Sequence, residues 1–382
     1  MERVNINRRP HLSRFSGLVI AGTVFITGLS AQFGTENVAD QDIGRPPQPP
    51  FITFLGIFFP GKMATDPSLP LSGPVAEAFY EELRAQKTPA GPAGEVVTSI
   101  RTKYDEAGRA IEEIREEWGG ETAVSYRYEG TRLASQEATY PNIKKPQPKS
   151  WNYWTYDPSG KLIEYRRGRG DEIQNHDANF KRDGQGRLIS FEYRQGAKDE
   201  LFSRTELRYS TDGKTIDSTI YDAAGNVTRS TTHNVDDQGH VAWVVIREQD
   251  WKTERTKAPL KVAFRYDAKG RLLEQNTDAH EFERAGGEHE LPPGKVSMKY
   301  DDVKRTKTTE YLSDEGLLTS RVTYNASGAT IAVAVGAGDT PIDVKLECKY
   351  DSHDNWTACQ QIAKRSGIST VVKMWRRTIK YR

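Results

Sequence analysis

The segment Tyr266-Asp267-Ala268-Lys269-Gly270-Arg271-Leu272 carries the chemistry of a tight β-hairpin turn. An Asp carboxylate accepts hydrogen bonds from main-chain amides two positions on, and a Gly three residues later takes a positive φ at no steric cost, so Asp-x-x-Gly reverses the chain. Tyr266 closes the incoming strand, on which Val262, Phe264 and Tyr266 alternate with Ala263 and Arg265. That two-residue period belongs to a strand with one apolar and one polar face.

The unit recurs along the chain. Tyr104-Asp105 with Gly108, Tyr156-Asp157 with Gly160, and Tyr221-Asp222 with Gly225 repeat it in full, whereas Tyr300-Asp301 and Tyr350-Asp351 keep its first half. Six of the 17 Tyr precede an Asp where composition alone places about one, so the repetition is built in. Degenerate copies, such as Asp183 with Gly186 and Asp236 with Gly239, fill the gaps. Units follow one another at intervals near a strand plus a turn or a whole hairpin, which predicts a long antiparallel meander of about 18 to 21 strands. Twist accumulates over so many strands and the apolar face needs cover. The predicted fold is therefore all-β, a meander curled into a rolled sheet, half-barrel or shell with the Tyr face inward. A transmembrane barrel is disfavoured, because the outward face carries Arg and Glu where lipid needs an apolar band.

Upstream of the repeats the composition changes. Arg3, Arg8, Arg9 and Arg14 precede the apolar run 18–26 and the small residues Gly28, Ser30 and Ala31, the order of a secretory signal over residues 1–31. Its removal leaves 50 basic against 52 acidic residues, a slightly acidic mature chain with no transmembrane span. Residues 32–94 hold 10 of the 19 Pro and read as a lead or linker. Within it lie an apolar run, Phe51–Phe59, too short to cross a bilayer, and a stretch, 74–87, read as one short helix with Pro74 at its first position. Residues 95–382 are then the repeat domain. With 36% hydrophobic and 28% charged residues, a formal charge of +1 and a mean hydropathy of −0.71, the chain is neither polytopic nor disordered, and nothing in its charge calls for nucleic acid.

The units Tyr266 to Leu272, Tyr156 to Leu162 and Tyr221 to Val227 resemble the YD repeat of bacterial RHS proteins. The last unit, Tyr350-Asp-Ser-His-Asp-Asn-Trp356-Thr, is similar to the closing segment of smaller exported members, with Asp354 in place of Gly. The resemblance covers roughly 95–360 and implies an exported β-sheet scaffold, in large members a shell around a C-terminal toxin or a surface-exposed binding structure. Only 23 residues follow Cys359, which leaves no room for a toxin domain, and the family offers no catalytic residues to map.

Chemistry-bearing constellations are few. Cys348 and Cys359 flank the last turn at positions that face each other across a hairpin. In an exported protein they form a disulfide, or a bulge shifts the register and leaves two buried thiols. The seven His are scattered, so no metal or other cofactor is expected. No nucleophile elbow or phosphate-binding loop is present. Trp151 and Tyr153, pointing outward if Trp154 shares the inward face of Tyr156, are the candidate ligand-stacking pair, with cover for a sheet edge as the alternative. The expected function is a secreted, periplasmic or cell-surface scaffold, not an enzyme, that binds an envelope or extracellular polysaccharide or protein. The alternatives are an exported carbohydrate-active hydrolase and a companion or fragment of an RHS-type toxin system.

Overall fold

The computed structural model describes residues 71–84, 94–117, 119–142, 146–248, 259–278, 294–313, 316–325, 329–337, 342–365 and 368–382. The expected signal and the Phe51–Phe59 run lie outside the described residues.

The strands follow one another from β1 (Val75–Arg84) through β2 (Val96–Tyr104), β3 (Ala110–Glu117), β4 (Gly120–Glu129), β5 (Arg132–Thr139), β6 (Ser150–Tyr156), β7 (Leu162–Arg169) and β8 (Glu172–Arg182). Then come β9 (Leu188–Gln195), β10 (Glu200–Tyr209), β11 (Thr215–Asp222), β12 (Val227–Val235), β13 (Val241–Glu248), β14 (Leu260–Tyr266) and β15 (Leu272–Asp278). The last are β16 (Gly294–Asp301), β17 (Thr306–Ser313), β18 (Gly316–Tyr324), β19 (Thr330–Ala337), β20 (Ile342–Tyr350), β21 (Trp356–Arg365) and β22 (Ile368–Tyr381). Each pairs antiparallel with its successor, and β1 pairs with both β2 and β22, so the 22-stranded sheet closes into a barrel. The all-β meander is as expected, but the rolled sheet and half-barrel are corrected. Closure satisfies the N–H and C=O groups that the first and last strands of an open sheet would expose.

The closing element is the stretch read as a helix. No helix occurs among the described residues, and residues 75–84 form β1. The acids before bases that resemble a helix dipole pattern are cross-strand partners instead. Glu81 receives the Arg376 Nε at 2.6 Å, and Glu77 faces Arg101 at 3.6 Å. Two ready strand edges and complementary charges outweigh the local propensity of this short stretch.

Residues paired across strands share a face, so the register sorts the wall into two faces. Ile216, His233, Val244 and Val262 sit side by side on β11 to β14, and all four are buried. Closing a sheet crowds the side chains of its concave face and spreads those of the convex face, which places this buried set inside. The outer face carries charge pairs such as Lys103 with Glu112 at 3.0 Å and Arg265 with Glu274 at 3.2 Å.

All hairpins leading from an even to an odd strand turn at one end, the tight rim. There Asp267 Oδ1 accepts the amides of Lys269 and Arg271, both at 2.9 Å, and Gly270 has φ +75°. Asp105 and Asp157 cap their turns in the same way, with Gly108 and Gly160 at positive φ, and in the last unit Asp351 does so with Asp354 in the Gly position at φ +60°. Just before Tyr104, Tyr156, Tyr266 and Tyr350 the register slips by one, a bulge that sharpens the bend of each hairpin. The Tyr221-Asp222 unit turns at the opposite end, between β11 and β12, and so is out of phase with the rest.

The Tyr residues lock one hairpin to the next. Tyr156, Tyr209, Tyr266 and Tyr300 donate their hydroxyls to the carbonyls of Leu133, Leu188, Val241 and Leu272 at 2.9–3.0 Å. In four turns the residue after the Gly covers a ring of the following hairpin: Arg109 lies 4.5 Å from the Tyr128 centroid, Arg187 4.2 Å from Tyr209, Arg271 4.3 Å from Tyr300, and His240 stacks on Tyr266 at 4.7 Å. Burial pushes the Tyr266 hydroxyl up to about 12, which keeps it a donor at any physiological pH.

Candidate functional site

The repeat units fix where the outer face can carry a site. One course of outer-face residues crosses β5 to β9 in register: Ser135, Tyr153, Arg166, His176 and Arg194. His176 is buried and makes two contacts, from Nδ1 to the Asp199 carboxylate at 2.8 Å and from Nε2 to Glu164 at 3.0 Å. Arg166 reaches Glu164 at 2.6 Å, and Arg194 holds Glu192 at 2.7 Å and the Asp199 carbonyl at 3.2 Å. Asn179 completes the group by donating to Glu192 at 2.9 Å. Together Glu164, His176, Asn179, Arg194 and Asp199 line a cleft of about 410 Å³.

Two backbone features shape it. Asn179 and Asp199 are non-glycine residues at positive φ, 56° and 53°, a conformation that costs of order 1 kcal/mol or more and must be held by its surroundings. Asn179 sits where the β8–β9 register slips, and Asp199 closes the turn from β9 to β10 through its amide and the Gly196 carbonyl at 2.9 Å. The strain thus aims the Asn179 amide and the Asp199 carboxylate at the same cleft.

Trp151 and Tyr153 lie on the outer face, with Trp154 on the inner. They have different roles. Trp151 is 8% exposed, donates its Nε1 to the Gly170 carbonyl at 2.8 Å and covers Gly168, where a Cβ would run into its ring. It packs against the wall and supports its neighbour. Tyr153 stacks on it at 4.8 Å and 25° and is itself only partly buried, opposite Arg166 on the next strand. The Tyr153 hydroxyl donates to Glu137 at 2.6 Å; that bond, ahead of the Lys149 ammonium at 3.1 Å, holds the Glu137 carboxyl below its usual range and raises the phenol. The ring is therefore fixed in orientation before any ligand arrives.

Cys348 and Cys359 face each other across β20 and β21 and are joined by a disulfide on the inner face, far from the cleft. Among the described residues no group of three His, Cys, Asp or Glu could hold a metal ion. The repeat residues Tyr104, Asp105, Tyr156, Asp157, Tyr266, Asp267, Tyr350 and Asp351 stand at the tight rim, and Tyr221, Asp222 and Gly225 at the other, so none enters the cleft. His176, Asp199 and Arg194 had no signal in the sequence: they belong to two strands and a turn, and only the register unites them.

The site and fold define a closed antiparallel β-shell with a polar cleft on a charged outer wall. No family model matches the chain, and no curated protein matches it. Among solved structures it is similar to a porin-like protein from Bacteroides uniformis (TM-score 0.29, 11% identity, covering 82% of this chain and all of that one). Similar too are a porin-like protein from Bacteroides vulgatus (0.19, 11%, 81% and 98%) and a periplasmic gluconolactonase from Pseudomonas aeruginosa (0.12, 10%, 80% and 100%). Likeness at this level lends no argument about what this chain does.

Proposed function

We propose that this protein is an exported, non-enzymatic β-shell that binds an envelope or extracellular carbohydrate along the outer course that runs from Tyr153 to the cleft at His176 and Arg194. The observation that carries the reading is the outer course Tyr153, Arg166, His176 and Arg194, in which one immobilised aromatic face adjoins a row of polar groups. A sugar presents an apolar C–H face to a ring and hydroxyls, both donors and acceptors, to the groups around it. Arg194, Asn179 and the Glu164 and Asp199 carboxylates supply both kinds of partner. A hydrolase is less well supported, because the two carboxylates that bracket the cleft are both engaged by the imidazole between them, where an acid-base pair needs the scissile bond. The resemblance to YD-repeat scaffolds and the outer-face charge, which suits water better than lipid, agree with a secreted, periplasmic or surface location.

Screening the mature protein on a glycan array, followed by calorimetry on the best hit, tests this. Tyr153→Ala is expected to weaken binding about tenfold, the worth of one stacked ring, and Arg194→Ala by a similar factor. Absence of any glycan hit, or a hit that both variants bind as well as the parent, overturns the reading.

A further inference from the structure

One position on the inner wall carries a charge where related hairpins carry leucine. In the hairpins of β4–β5, β6–β7 and β14–β15, the residue paired with the turn Tyr is Leu133, Leu162 or Leu272, and all three are buried. In the hairpin of β16 and β17 the partner of Tyr300 is Lys307. Its neighbour on the other side is Val322, 0% exposed, and Met298 and Val333 lie close by on the same face, both buried. An amine thus stands in an apolar course of the wall.

No counter-charge faces it. Among the described residues the Lys307 side chain has neither an ion pair nor a hydrogen-bond partner. The acids of its own hairpin are engaged elsewhere: Asp301 with Lys304 at 3.4 Å, Asp302 with Lys269 at 2.6 Å and with Arg271, and Glu310, on the outer face, with Lys299 at 2.9 Å. On the flanking strands burial raises the phenols of Tyr300 and Tyr324, so neither supplies an anion. A desolvated amine without a partner favours its neutral form, and burial lowers Lys307 from the ordinary 10.5. The neutral amine is a nucleophile, whereas the ammonium is not. Lys307 is only half-buried, which leaves it open to a small reagent. One pair further along the same face, the Thr309 and Ser320 hydroxyls are buried with no hydrogen-bond partner, donors that a carbonyl oxygen beside Lys307 would satisfy.

We propose that Lys307 captures a small apolar aldehyde as an imine, with the Thr309 hydroxyl donating to the aldehyde oxygen. The amine nitrogen attacks the carbonyl carbon, a C–N bond forms, and one N–H proton passes to the oxygen to give a carbinolamine. Loss of that hydroxyl with the remaining N–H proton, as water, leaves the C=N bond and needs no oxidant or reductant. The site lies on the inner wall, apart from the outer course at Tyr153, so either reading can fail without the other. The mature protein is incubated at pH 7 with benzaldehyde and cyanoborohydride, which reduces any imine to a stable benzylamine, and the adducts are mapped by peptide mass. Lys307 is expected to be labelled about tenfold faster or more than Lys299 and Lys345, although their side chains are 70% and 65% exposed. Thr309→Val is expected to slow the Lys307 adduct several-fold with an unchanged strand spectrum, and Lys307→Leu to remove that adduct alone. Labelling of Lys307 no faster than that of Lys299 and Lys345, or a rate in Thr309→Val equal to that of the parent, overturns the proposal.

Discussion

His233 lies on the inner face between Ile216 and Val244, 7% exposed, with no partner for Nδ1. Burial, aided by the Arg229 charge, lowers its pKa from the ordinary 6.5, so the folded protein holds it neutral while the unfolded chain takes up a proton. Its contribution is intact above 6.5 and is lost as the pH falls through that value toward the folded one. His233→Val is expected to flatten thermal midpoints between pH 8 and 5 and to raise stability at pH 7 by about 1 kcal/mol, since it removes an unpaired buried nitrogen from an apolar course. Melts of both proteins across that range check it, and a parent whose midpoint does not fall toward pH 5 contradicts it. At this scale the sequence is legible where a residue acts on its own neighbours. Asp105 and Asp267 cap their own turns, and that chemistry needs only a few residues of context. Arg187 over Tyr209 was not legible, because the ring it covers is 22 residues away and the pairing exists only once hairpins stand side by side.

Among elements, the hairpin turn is the one that repeats, and its glycines differ in what surrounds them. Gly270 and Gly225 both hold positive φ, 75° and 89°, yet a Cβ on Gly270 would lie 2.7 Å from His240 Nε2, whereas Gly225 faces open space. Gly225→Ala is expected to cost about 1 kcal/mol, the backbone penalty alone. Gly270→Ala adds displacement of the imidazole that stacks on Tyr266, so its cost should be greater, about 2 kcal/mol, and Gly270→Ala combined with His240→Ala should recover the difference. Equal denaturation midpoints for the two single variants would refute the interlocked rim. Residues 74–87 show why element type can mislead. A single short stretch with Pro at its start and acids before bases satisfies a helix rule locally, while the alternation Ala78, Tyr80, Glu82 against Phe79, Glu81, Leu83 fits a strand equally well. The deciding term is the pair of open edges on β2 and β22, which no local window contains.

Closure of the whole barrel concentrates two different electrostatic demands. At the seam, Lys373 meets Glu82 at 2.9 Å with side chains 14% and 8% exposed, and Trp375 Nε1 donates to the same carboxylate at 3.3 Å. Removing one charge from such a buried pair takes a counter-charge from the other and costs about 3 kcal/mol, whereas an outer pair such as Lys103 with Glu112, 47% and 40% exposed, is worth under about 1 kcal/mol. Glu82→Gln should therefore lower the denaturation midpoint far more than Glu112→Gln, and amide exchange should quicken first in β1 and β22. Around the rims the demand is collective. Hydrogen bonds from the Arg109 side chain and amide hold the Asp105 carboxyl below its ordinary 3.8, and the Arg271 amide and guanidinium do the same for Asp267. The Ser159 hydroxyl lowers Asp157, and the Asn226 side chain lowers Asp222. Each carboxyl binds its proton less readily folded than unfolded, so its contribution is complete above 3.8 and disappears as the pH falls through the folded value. Because neighbouring hairpins lean on one another through the Tyr and Arg contacts, these small terms should act as one transition. With His233 replaced by Val, the barrel is expected to melt at a constant temperature from pH 8 to about 5 and to lose stability steeply below about pH 4. The triple change Asp105→Asn, Asp157→Asn, Asp267→Asn should be less stable at pH 7 and show a shallower acid slope. An unchanged acid slope in that variant would mean that the turn carboxylates do not govern the acid limit of the fold.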